Sequence, residues 1–465
     1  MCPVRIETGI MHMSEASEHA RMIAVTLILE GISAADPVKA VKNFLKMDGD
    51  TLVLGDGTRI PLKGKVIVVG SGKASGGMAL AVEEMLGNRI TGGVVSIPEE
   101  LVEKYSGSLS RVKVVGATHP RASQKSVEAG QRIVESVRGL SGEDVVIALF
   151  SGGGSALAEL PVEGVGIDEI GELSIKLMKA GANIVELNTV RKHLSRLKGG
   201  WLAKHAYPAT LVALMISDVV GDRMDIIASG PTVPDPTTYH DAVNIVKKYG
   251  LWEEAPQSIK KILEDGIAGK IPETPKPGDP VFEKVHNRII ASNIISLNAM
   301  ASKAREMGYN TVILTSMLEG EAREAGKILA AIAKEVLKTG NPVPPPAVIL
   351  AGGETTVTVR GRGTGGRNQE LALSAAIALK GEQRIAIASA GSDGRDGPTD
   401  VAGAVVDGYT YEKAQKLGLS PETYLENNDS YSFFQKAGGH IKTGYTGTNV
   451  NDLVVIVVEK ENPWE

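Results

Sequence analysis

The chain has 465 residues, 54 of them glycine, one cysteine and a formal net charge of −5; one core does not serve that length, so two domains are expected. Cys2 alone excludes an intrachain disulfide and a cysteine-based metal site. The mildly acidic balance, with no Lys/Arg tract interleaved with aromatics, speaks against nucleic acid, and the absence of a membrane-length apolar run or a signal-peptide pattern points to a soluble cytoplasmic protein.

In chain order, residues 15–31 read as a helix with apolar Met22, Ile23, Val25, Leu27 and Ile28. Asp36-Pro37 is an N-cap and first-turn pair for a second helix. Thr51 to Leu62 reads as a hairpin around Gly55-Asp56-Gly57. An α/β rhythm follows. Strands are expected at 66–69, 94–97, 112–115, 145–150 and 211–216. Helices are expected up to about Leu86, at 123–137, at 168–181 and at 186–206. Continuous apolar strands alternating with helices imply a parallel sheet covered on both faces. The stretch 228–240 is rich in Pro, Thr and Asp and lacks periodicity, so the domain border is expected just after it. This gives a domain over residues 1–240 and a second over 241–465. The second series begins where Ile289-Ile290 leads into a helix. It continues with strands at 311–314, 347–351, 355–359, 385–389 and 453–458 and helices at 319–338 and 367–379.

In open α/β sheets ligands bind at the carboxyl ends of the strands, where four glycine-rich loops fall. Gly70-Ser71-Gly72-Lys73 offers backbone N–H groups and a full charge to an anion. It is neither a Walker A motif nor a good dinucleotide fingerprint, since Ser75 holds the place of the third glycine. Three consecutive glycines in Ser151-Gly152-Gly153-Gly154-Ser155 carry an entropic cost that suggests an anion nest, with a crowded turn as the bland reading. Asp218, at the end of a buried strand, suits Mg²⁺ or a base as well as a plain turn cap. Gly352-Gly353-Glu354 runs through a flexible glycine loop to Arg367-Asn368. An arginine at a helix start is disfavoured by the dipole unless it clamps an anion. Asp393 and Asp396, spaced by glycines, suit a metal or a sugar hydroxyl, although the spacing fails as an EF-hand. The histidines say little, and Arg191-Lys192-His193 reads as a solvated helix face. Anion-binding loops, cations and strand-end acids are what phosphoryl transfer needs.

These loops also resemble a known family. Gly70–Ser75, Phe150–Leu157, Ser217–Asp222 with Ser229–Thr237, Ala351–Thr355 with Gly365–Glu370, and Gly391–Thr399 run in the order of the glycerate 2-kinase family whose C-terminal part is the MOFRL domain. The resemblance implies an α/β fold of two domains. One is a Rossmann-like parallel-sheet N-terminal domain, whose first helix is free to pack on the other; the second is a smaller α/β MOFRL domain, with the active-site cleft between them. It implies transfer of the ATP γ-phosphoryl to the 2-hydroxyl of D-glycerate. Lys73, Arg367 and Asp218 would be catalytic. Gly70, Ser71, Gly72, Ser151, Gly152, Gly153, Gly154, Ser155, Asn368 and Glu354 would hold the nucleotide or phosphate. Asp218, Asp393 and Asp396 would hold Mg²⁺. A homodimer is a further expectation. Val220 and Ser392 stand where the family commonly has proline and threonine. The rival reading is an NAD(P)H-dependent hydroxypyruvate reductase, weakened by the lack of a ribose-binding acid about twenty residues beyond the first loop.

Overall fold

Runs of Val, Ile, Leu and Ala closed by glycine become strands buried on both faces, and they build the two units into which the chain divides. The structure, a computed structural model, describes residues 15–460. One unit spans residues 37–290; the other spans 291–460 together with the described segment through Asp36.

The first unit opens with a small antiparallel sheet of β1 (Leu45–Asp48), β2 (Thr51–Leu54) and β3 (Arg59–Pro61). The expected hairpin is there, joined by a third strand whose pattern was too short to stand out. The main sheet holds β4 (Val66–Ser71), β5 (Gly92–Pro98), β6 (Lys113–Ala117), β7 (Val145–Phe150), β8 (Thr210–Ile216) and β9 (Val285–Ala291), in the order β6-β5-β4-β7-β8-β9. β4 runs parallel to both β5 and β7, and the β5–β6 and β7–β8 pairs are parallel too. The strand order reverses between β4 and β7. Crossovers leave that point on opposite faces, so a crevice opens at the strand ends there.

Two expectations shift here. The helix expected over 186–206 is two, Ile184–His193 and Trp201–Ala206, because Gly199 and Gly200 take left-handed backbone at φ 57° and 86°. The border expected after residue 240 differs from the division at 290/291, since Val285–Ala291 extends the first sheet beside β8. The composition shift at 228–240 instead precedes two helices, Tyr239–Lys248 and Gln257–Ile267. They pack with helices Ile167–Lys179 and Ile184–His193 around Leu173, Leu187, Tyr239 and Ile259.

The second unit has a mixed sheet: β10 (Asn310–Leu318), β11 (Ala347–Gly353), β12 (Ile385–Gly391), β13 (Gly403–Asp407), β14 (His440–Ile441) and β15 (Asp452–Val458), ordered β10-β11-β15-β12-β13-β14. β10 and β11 are parallel; the other pairs are antiparallel. Side chains alternate across β11. Val348 and Leu350 face the N-terminal helix Glu15–Ala34 through Ala24, Leu27 and Ile28, while Ile349 and Ala351 face helices Ala322–Thr339 and Arg367–Ala378. The strand expected at 355–359 is absent and leaves one bridge, Thr356 to Glu321. Among the described residues no helix is long and apolar enough to cross a membrane.

Candidate active site

The loops after β4 and β7 meet at the point where the strand order reverses. Lys73 N–H donates to the Gly152 carbonyl at 3.0 Å, and Ala74 N–H donates to Ser151 Oγ at 2.9 Å. Ser71 Oγ donates to the Gly154 carbonyl at 3.2 Å. Gly70 is needed because a Cβ would overlap the Leu149 carbonyl, and Gly72, at φ 143°, lies against Ser151. The three-glycine run has both properties weighed from sequence. Gly152 clears the Asp218 carboxylate, Gly154 clears the Ser71 carbonyl, and Gly153 needs a left-handed φ of 81°. The crowding neighbours are the other candidate residues themselves. Gly152 and Gly153 N–H have no acceptor among the described residues, which is the property of an anion nest.

Lys73 is part-exposed, and its ammonium has no hydrogen bond or ion pair among the described residues. His119 lies against Gly153, 2.9 Å from where a Cβ would stand, with Lys73 Cγ 3.5 Å from the same point. Burial, and then Lys73, push the His119 imidazole below its ordinary pKa, so it is neutral at pH 7. Asp218 follows β8 and is part-exposed over Gly152. Lys73, Asp218 and residues 70–72 and 151–155 therefore share one site in the first unit.

Behind this site Arg191-Lys192-His193 is not the solvated face expected. Lys192 and His193 are 4% and 1% exposed. His193 lies between the Thr189 carbonyl at 2.8 Å and Glu273 at 3.2 Å, against the Tyr239 ring. Lys192 lies 3.8 Å from Asp225 and 3.7 Å from Asp235. Lys198 donates to the Ser155 carbonyl at 2.9 Å and pairs with buried Glu159. Burial pushes Lys198 down to about 8, against the pull of Glu159. Asn188 Oδ1 accepts from Ser229 Oγ at 2.9 Å, and Ser229 Oγ meets Ser155 Oγ at 2.8 Å. Sequence reasoning missed Asn188, Arg191 and Lys198. The available signal was that Leu187, Val190 and Leu194 flank the charges and leave no polar stripe.

In the second unit Arg367 opens its helix and is held from two sides. Its Nε and Nη2 donate to Asp452 at 2.7 and 3.1 Å, and Nη1 donates to Glu354 at 2.8 Å. Asp452, missed from sequence, is buried; burial pushes its carboxyl up to about 6 against the pull of Arg367, so the pair is ionised at pH 7. Burial also opposes the Arg367 charge, but Asp452 and Glu354 hold its pKa above the ordinary value. Three of five guanidinium N–H groups are thus spent inside the unit and two remain for a ligand. Asn368 Nδ2 donates to Asp452 at 2.9 Å and Asn368 Oδ1 accepts from Ser389 at 2.7 Å, so Asn368 is a buried brace.

The metal reading of Asp396 does not match its geometry. Its two oxygens accept from the backbone N–H of Asn368 at 3.0 Å and Gln369 at 2.9 Å and from both side chains, so Asp396 caps the helix. Asp393 Oδ1 accepts from Arg395 N–H at 3.0 Å in a local turn and the residue stays part-exposed. No group of three or more His, Cys, Asp or Glu side chains poised for a metal occurs among the described residues. The loop 360–366, expected to be flexible, is tied by hydrogen bonds. Asn428 Oδ1 accepts from Arg360 and Gly361 N–H, Asn427 Oδ1 from Arg362, and Asp429 Oδ1 from Thr364. Gly361 and Gly363 are there because this strap lies directly against 427–429.

Comparison with known proteins adds a second line. A family model described as a domain of unknown function (DUF4147) matches residues 23–264, and the MOFRL family model matches residues 347–452. The chain is 44% identical to the glycerate 2-kinase of Pyrococcus horikoshii, over 94% of this chain and 97% of that protein. It is 43% identical to the D-glycerate 2-kinase of Thermotoga maritima, over 94% and 98%. The crystal structure of a Thermotoga maritima glycerate kinase superposes with a TM-score of 0.85 at 42% identity, covering 95% of this chain and 100% of that one.

Proposed function

The chain belongs to the glycerate 2-kinase family with a MOFRL C-terminal domain, and from that premise we infer that it transfers the γ-phosphoryl group of ATP to the 2-hydroxyl of D-glycerate, giving 2-phosphoglycerate and ADP. The observation that carries the reading is the meeting of two glycine loops at the strand-order reversal, with the Lys73 ammonium unspent on any described protein group.

The chemistry is positioning and charge neutralisation. The glycerate 2-oxygen attacks the γ-phosphorus, the bond to the β-phosphate oxygen breaks to release ADP, and the hydroxyl proton passes to solvent. Lys73 and the N–H groups of Gly152 and Gly153 meet the developing charge on the phosphoryl oxygens. Asp218 orients the attacking hydroxyl. In the second unit Arg367, pre-set by Asp452 and Glu354, keeps two N–H groups for an anion. Neutral His119 packs against the loop and adds no competing charge.

Mg²⁺ belongs to the proposal as well. It takes one or two carboxylates with waters and phosphate oxygens, a demand that Asp218 suits and the fully spent Asp396 does not. When bound it supplies charge neutralisation at the phosphates. A cytoplasmic location and a homodimer complete the reading.

The test is phosphorylation of D-glycerate with ATP and Mg²⁺, coupled to enolase alone. Signal without added mutase identifies 2-phosphoglycerate. Signal only with mutase places the phosphoryl on the 3-hydroxyl. No signal from folded protein removes glycerate as substrate, and NADH oxidation with hydroxypyruvate would restore the reductase reading.

A further inference from the structure

Arg191 stands out in the first unit. Its Nε is shut off from solvent and has no hydrogen-bond partner, and no ion pair to its guanidinium occurs among the described residues. Burial depresses its pKa while Glu159 pulls the other way. Glu159 does not answer the need, because it is already spent on Lys198, on Ser195 Oγ and on Leu160 N–H. Lys192, the next residue, faces Asp225 and Asp235 instead.

One turn earlier on the same helix face stands Asn188, 3% exposed. Its oxygen accepts from Ser229 Oγ at 2.9 Å. Ser229 has one hydroxyl proton, so in the 2.8 Å contact between the two serines Ser155 is the donor. Asn188 Nδ2 then keeps two N–H donors with no acceptor among the described residues. The Arg191 Nε is thus buried and unspent, the Asn188 amide three residues earlier keeps spare donors, and a hydrogen-bonded chain through Ser229 ties Asn188 to Ser155 at the end of the three-glycine loop. An unanswered buried donor calls for an acceptor.

Resting on the kinase reading above, we propose that Arg191 and Asn188, the latter fixed through Ser229 and Ser155, form the subsite that binds the carboxylate of the hydroxy acid. A guanidinium fork matches two coplanar carboxylate oxygens. The phosphoryl group already has Lys73 and the loop N–H groups, so the free fork completes the other end of a small acid whose hydroxyl lies between. The subsite selects 2-hydroxy acids over polyols.

The experiment is calorimetric binding of D-glycerate to the full chain without nucleotide, alongside KM for D-glycerate and for ATP, in wild type, Arg191→Gln and Arg191→Lys. Loss of one charge-assisted contact predicts about 30-fold weaker D-glycerate binding and a matching rise in its KM for Arg191→Gln. KM for ATP should stay within about twofold, and Arg191→Lys should fall between. Glycerate affinity unchanged in both variants overturns the subsite. So does a rise confined to KM for ATP, which would make the bound anion a phosphate. If Arg191→Gln does not fold, Arg191→Lys decides on the same two readouts. Wild type that binds D-glycerate without turning it over sinks the kinase reading while the affinities still judge Arg191. Wild type that binds no D-glycerate overturns both.

Discussion

Two glycine loops, each followed by a cation at a helix start, have opposite electrostatic fates. At 70–73 and 151–155 the glycines clear space around Asp218, Ser71 and His119, and Lys73 has no protein partner among the described residues. At 361–367 the glycines let the strap lie on 427–429, and Arg367 is gripped by Asp452 and Glu354. The same residue vocabulary leaves a cation unanswered among the described residues in one unit and braces one in the other. What separates them is whether a carboxylate of the protein reaches the cation. A helix start repels a cation in both places; in one unit the protein supplies the compensation, and in the other, on the proposal above, a ligand does.

That contrast breaks first at Lys73. Lys73→Ala should lower kcat by about 1,000-fold, the scale of losing one preorganised donor to the transition state, with an unchanged thermal midpoint. A rate within tenfold of wild type would take Lys73 out of the chemistry. Asp452→Ala should act in the opposite currency. It leaves Arg367 part-buried beside a lost partner and should cost about 3 kcal/mol in urea unfolding. A stability loss under about 1 kcal/mol would mean that the pair does not brace the unit.

Paired glycine variants sharpen the comparison at smaller scale. Gly153→Ala forces a side chain to φ 81° and toward His119, costing about 1 kcal/mol of stability, and should lower kcat/KM as well. Gly363→Ala drives a methyl into Asp429; it should destabilise by about 2 kcal/mol and leave KM for both substrates unmoved. Equal kinetic effects from the two would erase the distinction.

The smallest effect concerns pH and the helices behind the first site. Burial works against the Glu273 charge, yet His193, Tyr239 N–H and Lys276 hold its pKa down to about 2. An acid with a depressed folded pKa adds stability above its unfolded pKa, about 4.3, and loses it as pH falls toward 2. Glu273→Gln should therefore unfold with a shallower pH dependence between about 4 and 2, and identical acid limbs would remove Glu273 from the linkage.

Much of this was legible because strands buried on both faces need an apolar residue at every position. Val66–Val69, Val145–Phe150 and Leu211–Ile216 read as strands, and the glycines after them marked the strand ends. The helix over 186–206 misread because apolar periodicity carries through Gly199-Gly200, whose left-handed backbone breaks it. The solvated reading of 191–193 failed because Lys192 faces Asp225 and Asp235 and His193 packs against Tyr239 and Glu273, all dozens of residues away. Arg367 was singled out correctly as an odd helix start, but its partner comes from β15, eighty-five residues on.

The sequence by itself determined the α/β class, the strand-end loops and the family. Those rest on local periodicity, on glycine's conformational freedom and on motif order, all of which are written along the chain. Only the tertiary structure decided that β9 closes the first sheet, that Asp396 is a helix cap, that Asp452 holds Arg367, and that Arg191 and Asn188 keep unspent donors beside Ser155. Each of these depends on which distant group satisfies a buried charge or N–H. Pairing of that kind is a property of three-dimensional neighbours, and no one-dimensional pattern encodes it.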